Sequence, residues 1–405
     1  MISVAEAIRI VREQTHTLPS EPVLLANARG RFLAQDVVAD SDLPPFDRSQ
    51  MDGYAVRASD VERVPAKLRI VGESAAGRGW HNEMKAGEAV RIMTGAPVPA
   101  GADSVQQMEL TRELGDVHGD AQVEILEAVA LGRSIVRRGS EIKAGEKVLS
   151  AGEQISAATM AVLASFGYAA ISAGRQPKVA VLATGSELVR IDEKPGGDQI
   201  RDSNNFTIGA YAELAGAKVE RLPLAGDDTD LLKRQIAEAA ERSDIVITSG
   251  GVSVGVYDFT KPALRELGAE FFFERVALRP GKPTVFARLP NGALFFGLPG
   301  NPVSVSVTFN LFARTAMLAM QGANDPELSP DWAVLARNVK GAVERESYPP
   351  AQLGTTAEGA LEATPLKWGG SSDFVGFVRA TSLIIVPRDT GVVEAGTKVR
   401  VVRLP

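Results

Sequence analysis

The feature that most constrains the fold is an alternation of strand-like and helix-like segments from residue 177 to residue 326. Apolar, β-branched runs such as residues 178–183 and 244–248 alternate with helix-like segments such as residues 229–242. This alternation predicts a doubly wound α/β domain built on a mostly parallel sheet. In such a sheet, ligands bind beyond the carboxyl ends of the strands. A ligand site is therefore expected at those strand ends.

Three glycine-containing turns follow predicted strands at that edge. They are residues 184–187 (TGSE), 249–253 (SGGVS) and 297–302 (GLPGNP). In the third turn, Asn301 is a favoured N-cap and Pro302 suits a first helical turn, so a helix should begin there. Its free N–H groups should face the crevice and favour an anion. The chain has no G-x-x-x-x-G-K-[ST] or G-x-G-x-x-G pattern, which argues against a Walker ATPase and a standard dinucleotide-binding fold.

The second turn overlaps residues 251–255 (GVSVG), which fit the G-x-S-x-G pattern of a hydrolase nucleophile elbow centred on Ser253. In the α/β-hydrolase order the catalytic histidine follows the serine, whereas His16, His81 and His118 all precede it. No pair of these histidines has metal-ligand spacing, so a zinc site is not expected. The turn is therefore interpreted as a glycine loop that holds a ligand through its backbone.

Charged side chains gather around the same predicted edge. The acids are Glu187, Asp227 and Asp258, while Arg279 and Lys282 flank a Pro-Gly turn. Two like charges about 4 Å apart repel by roughly 4 kcal/mol at an effective dielectric constant near 20, so acids beside a phosphate need a counter-ion. A bound Mg²⁺ would accept oxygen ligands from both the acids and the phosphate. The two cations could grip an oxyanion.

The rest of the chain is predicted to form smaller domains around the α/β domain at residues 177–326. An N-terminal amphipathic helix and a later strand–helix segment would form one domain in two pieces, residues 1–44 and 145–176. Short alternating strands predict an inserted β-domain at residues 45–144. Residues 327–405 predict a C-terminal β-domain of barrel-like form. The expected fold class is thus α/β multidomain with two small β-domains.

Two local features refine this outline. Residues 67–71 and 121–125 are the clearest strand patterns of the inserted β-domain. Asp228, which directly precedes the helix expected at Thr229, is interpreted as a helix cap.

Composition restricts the possible function classes. The chain of 405 residues is 45% hydrophobic and 23% charged, with a net charge of −6 and no dense Lys/Arg block, so a nucleic-acid partner has little support. It has no run of about 18 apolar residues, so no membrane span is expected. The absence of cysteine excludes disulfides and thiolate catalysis and favours a cytoplasmic location.

Seven motifs point to one enzyme family. They are PPFDRSQMDGYAV, RIMTGAPVP, ATGSEL, IRDSN, TSGGVSVGVYDFTK, RPGKP and GLPGNPVS, in that order. In this order they resemble the molybdopterin molybdenumtransferases, which include bacterial MoeA and the E domain of gephyrin. The resemblance runs to about residue 320 and weakens afterwards. It implies an elongated homodimer of four-domain subunits with a molybdopterin-binding domain near residues 177–326.

The resemblance also implies a reaction. Molybdate is inserted into adenylylated molybdopterin with release of AMP, with the help of a divalent cation, and the molybdopterin adenylyltransferase is the upstream partner. Catalytic roles are implied for Asp52, Thr94, Glu141, Glu187, Asp227 and Asp258, the last three as Mg²⁺ ligands. The positions expected to bind the substrates are Gly185, Ser186, Ser203, Asn204, Ser249, Gly250, Gly251, Ser253, Arg279, Lys282, Pro299, Gly300, Asn301, Pro302 and Ser371.

The chain departs from the family pattern in three places. Glu141 stands where Asp is usual, and Arg279 stands where Lys is common, which retains a cation of different geometry. The family's Arg in an F-x-R-G-like segment has no counterpart in SYPPAQLGT, although Ser371 and Ser372 resemble its serine-containing loop. Two alternatives therefore accompany the main hypothesis. One is a paralogue that inserts tungstate, and the other is a gephyrin-like scaffold that keeps the fold without turnover.

Overall fold

The computed structural model describes residues 1–117, 120–226, 228–252 and 259–405, with no side-chain description at positions 116, 117 and 120. The chain forms two compact units. The first comprises Met1–Gln35, Ala151–Met160 and Ala169–Pro405, and the second comprises Asp36–Ser150 and Ala161–Tyr168. The finer division into four domains stays a prediction.

A six-stranded sheet forms the centre of the first unit. Its strands are β1 (Lys178–Ala183), β2 (Lys218–Arg221), β3 (Ile245–Ser249), β4 (Glu270–Phe273), β5 (Val285–Arg288) and β6 (Leu294–Leu298). Their order across the sheet is β2-β1-β3-β6-β5-β4. The neighbours β2, β1, β3 and β6 are parallel to one another. Strand β5 is antiparallel to both β6 and β4. The chain winds outward in both directions from β1, so the crevice beyond β1 and β3 is the topological switch point.

Helices cover both faces of this sheet and confirm the doubly wound α/β prediction. They are α1 (Asn204–Leu214), α2 (Thr229–Ala240), α3 (Thr260–Glu266) and α4 (Pro302–Met320), the last with a π-helical segment at Phe309–Ala313. Asp228 caps α2 as predicted, because its Oδ1 accepts the Leu231 N–H at 2.9 Å. Val179 and Val181 enter one core with α1 and α4, while alternate residues of β1 enter the other core with α2 and α3.

Among the described helices, α4 is long and apolar enough to cross a membrane by length and composition. Its most apolar 18-residue window is 89% buried inside the protein, which is typical of a core helix. The expectation of no membrane span stays a prediction.

The N-terminal segment of the first unit begins with the predicted amphipathic helix, Val4–Gln14. Ser3 caps it, because its Oγ accepts the Glu6 N–H at 3.1 Å, and Val4, Ala7 and Val11 are buried. Further elements here are the antiparallel strands Ser20–Leu24 and Ala170–Gly174, the first residues of the helix Ala157–Ser165, and the parallel pair Leu188–Val189 and Ile200–Arg201.

The C-terminal part of the first unit is a closed barrel, as expected. Its strands in order are Pro330–Leu335, Leu361–Pro365, Pro350–Thr355, Ser382–Ile385 and Lys398–Arg403. A strand pair, Val339–Lys340 with Val392–Val393, and the helix Phe374–Phe377 accompany it. The parallel pairing of Leu278–Arg279 with Glu346–Ser347 ties this barrel to the α/β domain.

The second unit contains the predicted β-domain. Its six-stranded sheet runs in the order Ser104–Gln107, Gly53–Val56, Glu88–Ile92, Ala66–Ser74, Asp120–Ile125 and Thr111–Val117. Two short pairs complete it, Arg48–Ser49 with Ile135–Val136 and Val37–Val38 with Lys147–Leu149. The strands expected at residues 67–71 and 121–125 are present.

Candidate functional site

The three glycine turns meet at one edge of the α/β sheet. Ala183 pairs with Ser249, and Ser249 pairs with Leu298, so the last residues of β1, β3 and β6 are in register. The Thr184 N–H donates to the Ser249 carbonyl at 3.0 Å, and the Gly250 N–H donates to the Leu298 carbonyl at 3.1 Å. The turns therefore start at the same level above the sheet, as the sequence predicts.

Gly250 lets these turns approach each other at backbone distance. Its φ is +89°, and a Cβ at this position would lie 2.4 Å from the Thr184 carbonyl oxygen. A Cβ at Gly300 would lie 3.6 Å from the Gly250 Cα. Because a side chain at residue 250 would meet backbone that cannot swing away, glycine is required there.

Buried hydroxyl groups lie at and just below this edge. Thr248 Oγ1, Ser249 Oγ and Thr260 Oγ1 are buried and have no hydrogen-bond partner among the described residues. Buried polar atoms in folded proteins are usually hydrogen-bonded, so these hydroxyls are available to a polar group beyond the described residues. Gly251 belongs here too, because a Cβ on it would lie 2.8 Å from Thr260 Oγ1.

The start of α1 joins this edge through the "RDSN" segment. Asn204 is buried, and its Nδ2 donates to the Gly300 carbonyl at 2.7 Å. Ser203 holds the N-cap position of α1 without a side-chain bond to the helix. Asp202 acts instead, because its Oδ1 accepts the Asn205 N–H at 3.1 Å. Burial raises the pKa of Asp202, although hydrogen bonds from Asn205 and Asn204 oppose the shift. Sequence reasoning did not single out Asp202 or Asn205, even though both lie in or beside that motif.

A pocket of about 570 Å³ opens beside the third glycine turn. Three cations line it, Arg279, Lys282 and Arg345, and no described carboxylate lines it or pairs with them. This cationic pocket also brings together other predicted site residues and their neighbours, namely Pro299, Asn301, Ser304, Trp368 and Ser371. Its field favours an anion.

Arg345 is the member of this set that sequence reasoning missed. The chain lacks the family's Arg of the F-x-R-G-like segment, and no pattern singles out Arg345. Its position depends on the parallel pairing of Glu346 and Ser347 with Leu278 and Arg279. This pairing brings Arg345 next to Arg279, so the C-terminal domain contributes a cation to the pocket.

The start of α4 differs from the prediction in two respects. Asn301 occupies the N-cap position, but its Nδ2 donates to Ser371 Oγ at 2.8 Å and its side chain makes no capping bond. The Val303 N–H, expected to be free for an anion, donates to the Ser371 carbonyl at 3.0 Å. The prediction was wrong for this amide, because a loop of the C-terminal domain already supplies its acceptor. Pro302 is the first residue of α4, as predicted.

The predicted Mg²⁺ ligands are only partly described. Asp227, Asp258 and Ser253 lie outside the described residues, as does His118. Ser186 and Glu187 are exposed in the turn after β1, and Glu187 Oε2 lies against Gly185, 2.3 Å from where a Cβ on that glycine would be. Within the described ranges, no group of three His, Cys, Asp or Glu side chains is placed to hold a metal ion. Glu187 offers the oxygen ligand that Mg²⁺ prefers, and the complete ligand set stays a prediction.

In the second unit, the structure brings Asp52 and Thr94 together. Asp52 Oδ1 accepts the Thr94 N–H at 2.7 Å and the Thr94 hydroxyl at 2.9 Å. These two hydrogen bonds lower the pKa of Asp52, because they stabilise its charged form. Glu141 lies 3.5 Å from Arg48 in an exposed ion pair. Their catalytic roles stay predictions.

Comparisons with known proteins extend over the whole chain. Residues 2–167 match the family model described as "MoeA N-terminal region (domain I and II)", residues 180–319 match "Probable molybdopterin binding domain", and residues 332–404 match "MoeA C-terminal region (domain IV)". The C-terminal domain, where the sequence resemblance weakens, is thus included.

Individual relatives agree with these matches. A molybdopterin molybdenumtransferase of Haemophilus influenzae is 36% identical over 94% of this chain and 93% of its own length. Its namesake from Bacillus subtilis is 35% identical over 99% of this chain and 93% of its own. A crystal structure of a molybdopterin biosynthesis MoeA protein from Pyrococcus horikoshii has a TM-score of 0.85 at 26% identity, with 100% of both chains covered. The chain therefore belongs to the MoeA family of molybdopterin molybdenumtransferases, the transferases of molybdenum cofactor biosynthesis.

Proposed function

We propose that this transferase inserts molybdate into adenylylated molybdopterin, splits the pyrophosphate link with the help of Mg²⁺, and releases molybdenum cofactor and AMP. The observation that carries the proposal is the cationic pocket. Arg279, Lys282 and Arg345 line a cavity that no described carboxylate lines, directly beside the third glycine turn at the carboxyl edge of the sheet. A dianionic oxyanion is the ligand that such a set attracts.

The size of the cationic pocket supports a ligand larger than the oxyanion alone. Its volume of about 570 Å³ lies within the usual range of small-molecule sites, roughly 300–1,000 Å³. Gly300 lies between the lining residues Pro299 and Asn301, and the backbone of Gly250 is close to it. A substrate can therefore place its oxyanion among the cations while the rest of the molecule extends along the strand ends.

Side chains of this chain hold the site in place. Asn204 fixes the Gly300 turn to the start of α1, and Ser371 fixes the C-terminal loop to the start of α4. The two bonds from Thr94 lower the pKa of Asp52 and stabilise its carboxylate, which suits a residue that binds a cation better than one that accepts a proton. Mg²⁺, where bound, would offset charge on the pyrophosphate, with Glu187, Asp227 and Asp258 as its proposed ligands.

The same proposal includes the cellular setting. We infer a homodimer in the cytoplasm that receives its nucleotide from the molybdopterin adenylyltransferase. Support comes from the family resemblance and from the absence of cysteine. Light scattering of the purified chain should give twice the 42.9 kDa of one chain, and a monomeric mass would contradict the homodimer.

The test of the main proposal is molybdate-dependent release of AMP from adenylylated molybdopterin. Two unit charges 4 Å apart in water interact by about 1 kcal/mol, so loss of one cation near a dianion should cost about 2 kcal/mol, or roughly 30-fold in molybdate requirement. Arg279→Ala and Arg345→Ala should each show this loss. Arg388→Ala is the matched control, since its side chain is 72% exposed and does not line the cationic pocket.

The outcomes separate the alternatives. Unchanged molybdate dependence in both arginine variants would remove the pocket from the reaction. Activity that survives complete chelation of divalent cations would show that the reaction does not need Mg²⁺. Tungstate run in competition tests the tungstate-inserting alternative. Tight binding of the nucleotide without AMP release would favour the scaffold alternative.

A further inference from the structure

We infer that the pterin ring of the substrate binds in a second pocket of the α/β domain, and this inference rests on the proposed function. The pocket, here called the ring pocket, has a volume of about 770 Å³. It is lined by residues 188–193, by Asp202, Asn205 and Phe206, and by residues 221–224. It lies at the carboxyl end of β2 and the start of α1.

Two consecutive residues link the ring pocket to the cationic pocket. Asn204 donates to the carbonyl of Gly300, whose neighbours Pro299 and Asn301 line the cationic pocket. Asn205, the next residue, lines the ring pocket. The start of α1 therefore lines the ring pocket and is hydrogen-bonded to the turn that lines the cationic pocket, an arrangement along the carboxyl edge of the sheet that suits an elongated ligand with two chemically different ends.

The charges of the two pockets differ and assign the two ends. Asp192, Glu193 and Asp202 all line the ring pocket. Its two arginines are already paired, Arg190 with Asp192 at 2.8 Å and Arg221 with Glu213 at 3.1 Å. This environment disfavours a phosphate or an oxyanion, which the cationic pocket accepts. The uncharged ring end of the substrate is left for the ring pocket.

A flat aromatic surface lies in the ring pocket. The Phe206 side chain is 45% exposed, and the Arg221 guanidinium lies 5.8 Å from its ring centroid. Gly209 leaves room for this guanidinium, since a Cβ there would lie 2.4 Å from Arg221 Nη2. Glu213, one turn further along α1, forms an ion pair with the guanidinium at 3.1 Å. The Phe206 ring is thus held as a platform on which a planar heterocycle can stack.

The polar groups of the ring pocket match one edge of a pterin. Asn205 Nδ2 donates to the Leu222 carbonyl at 3.4 Å, and Asn205 Oδ1 is buried without a hydrogen-bond partner among the described residues. The Asp202 carboxylate provides a second acceptor beside it. Two neighbouring acceptors suit the adjacent 2-amino and ring N–H donors of a 2-amino-4-oxopyrimidine ring. Adenine offers an amino group flanked by acceptors, so one protein acceptor would face another acceptor.

The test is a fluorescence titration of the full-length chain with pterin, and with lumazine, in which a carbonyl replaces the 2-amino group. AMP is titrated by calorimetry. Pterin should bind at least about tenfold more tightly than lumazine, because a carbonyl cannot donate to Asn205 Oδ1. Phe206→Leu should weaken pterin binding about 5- to 30-fold, because leucine removes the aromatic face on which the heterocycle stacks. Phe206→Tyr should stay within about threefold of the wild type.

Trp332→Leu is the control variant, because Trp332 is 65% exposed on the barrel and does not line the ring pocket. Thermal denaturation of each variant shows whether it is folded. Equal affinity for pterin and lumazine, pterin binding that Phe206→Leu leaves unchanged, or no pterin binding to the wild type would overturn the inference. A preference for AMP that Phe206→Leu abolishes would assign the pocket to adenine and likewise overturn it.

AMP release by the wild type separates this inference from the proposed function. Turnover with pterin binding that does not depend on Phe206 would overturn the ring pocket alone. Phe206-dependent pterin binding without molybdate-dependent AMP release would overturn the proposed reaction alone.

Discussion

Replacement of Gly250 by alanine should destabilise the α/β domain by more than its backbone conformation explains. Gly250 has φ +89°, and an added Cβ would lie 2.4 Å from the Thr184 carbonyl oxygen. The left-handed conformation costs an L-residue about 1–2 kcal/mol. The clash with backbone forces β1 and β3 apart at their ends, and overpacking of this kind costs about 1–3 kcal/mol. The expected total is about 2–5 kcal/mol.

Gly292, in the turn between β5 and β6, provides a matched control. Its φ is +93°, and a Cβ there would meet nothing within 4 Å. Gly292→Ala should therefore carry the conformational cost without the clash, about 1–2 kcal/mol. Urea denaturation followed by circular dichroism, with both variants and the wild type side by side, isolates the steric part as the difference. Equal destabilisation by the two substitutions would refute the close packing of the glycine turns.

Two further predictions follow from the start of α1. Asn204→Ala removes the 2.7 Å hydrogen bond to the Gly300 carbonyl, so the free energy of unfolding should fall by about 1 kcal/mol and molybdate affinity should weaken. Thermal denaturation and molybdate titration measure these two quantities, and unchanged values would contradict the prediction. Burial raises the pKa of Asp202 above 3.8, so the native state binds this proton more tightly and the contribution of Asp202 to stability falls as pH rises through the raised pKa. Asp202→Asn removes this pH-dependent loss of stability. The difference in melting temperature, variant minus wild type, should therefore be larger at pH 7 than at pH 4, and the same difference at both pH values would contradict the prediction.

The α/β domain could be predicted from sequence because its local patterns agree with its tertiary structure. β-branched runs such as residues 178–183 form strands buried on both faces, and each is followed by a turn rich in glycine. The turns fall at one edge because parallel strands share a direction. The meeting of Arg279, Pro299 and Asn301 in one pocket follows from the same arrangement.

Other parts of the site depend on contacts that no local pattern records. Arg345 reaches the cationic pocket through a pairing of two-residue strands from different domains, which is too short to leave a periodic signal. The different surroundings of Asn204 and Asn205 depend on where α1 begins and on which strand end lies beside it. The acceptor of the Val303 N–H is a backbone carbonyl, and any residue type at position 371 would provide one.

The bond from Val303 to Ser371 has a consequence for how the pocket fills. The carbonyl of Ser371 accepts the Val303 N–H at the start of α4, as an oxygen of a bound anion would. The carboxylate of Asp373 accepts the N–H groups of Gly369 and Gly376 and so holds the loop around Ser371 together. This loop would therefore move as one unit. A substrate oxygen that accepts the Val303 N–H must displace the Ser371 carbonyl of the barrel's loop. One hydrogen bond is then exchanged for another of similar strength. Substrate binding and loop binding would then compete for a single nitrogen atom, that of Val303.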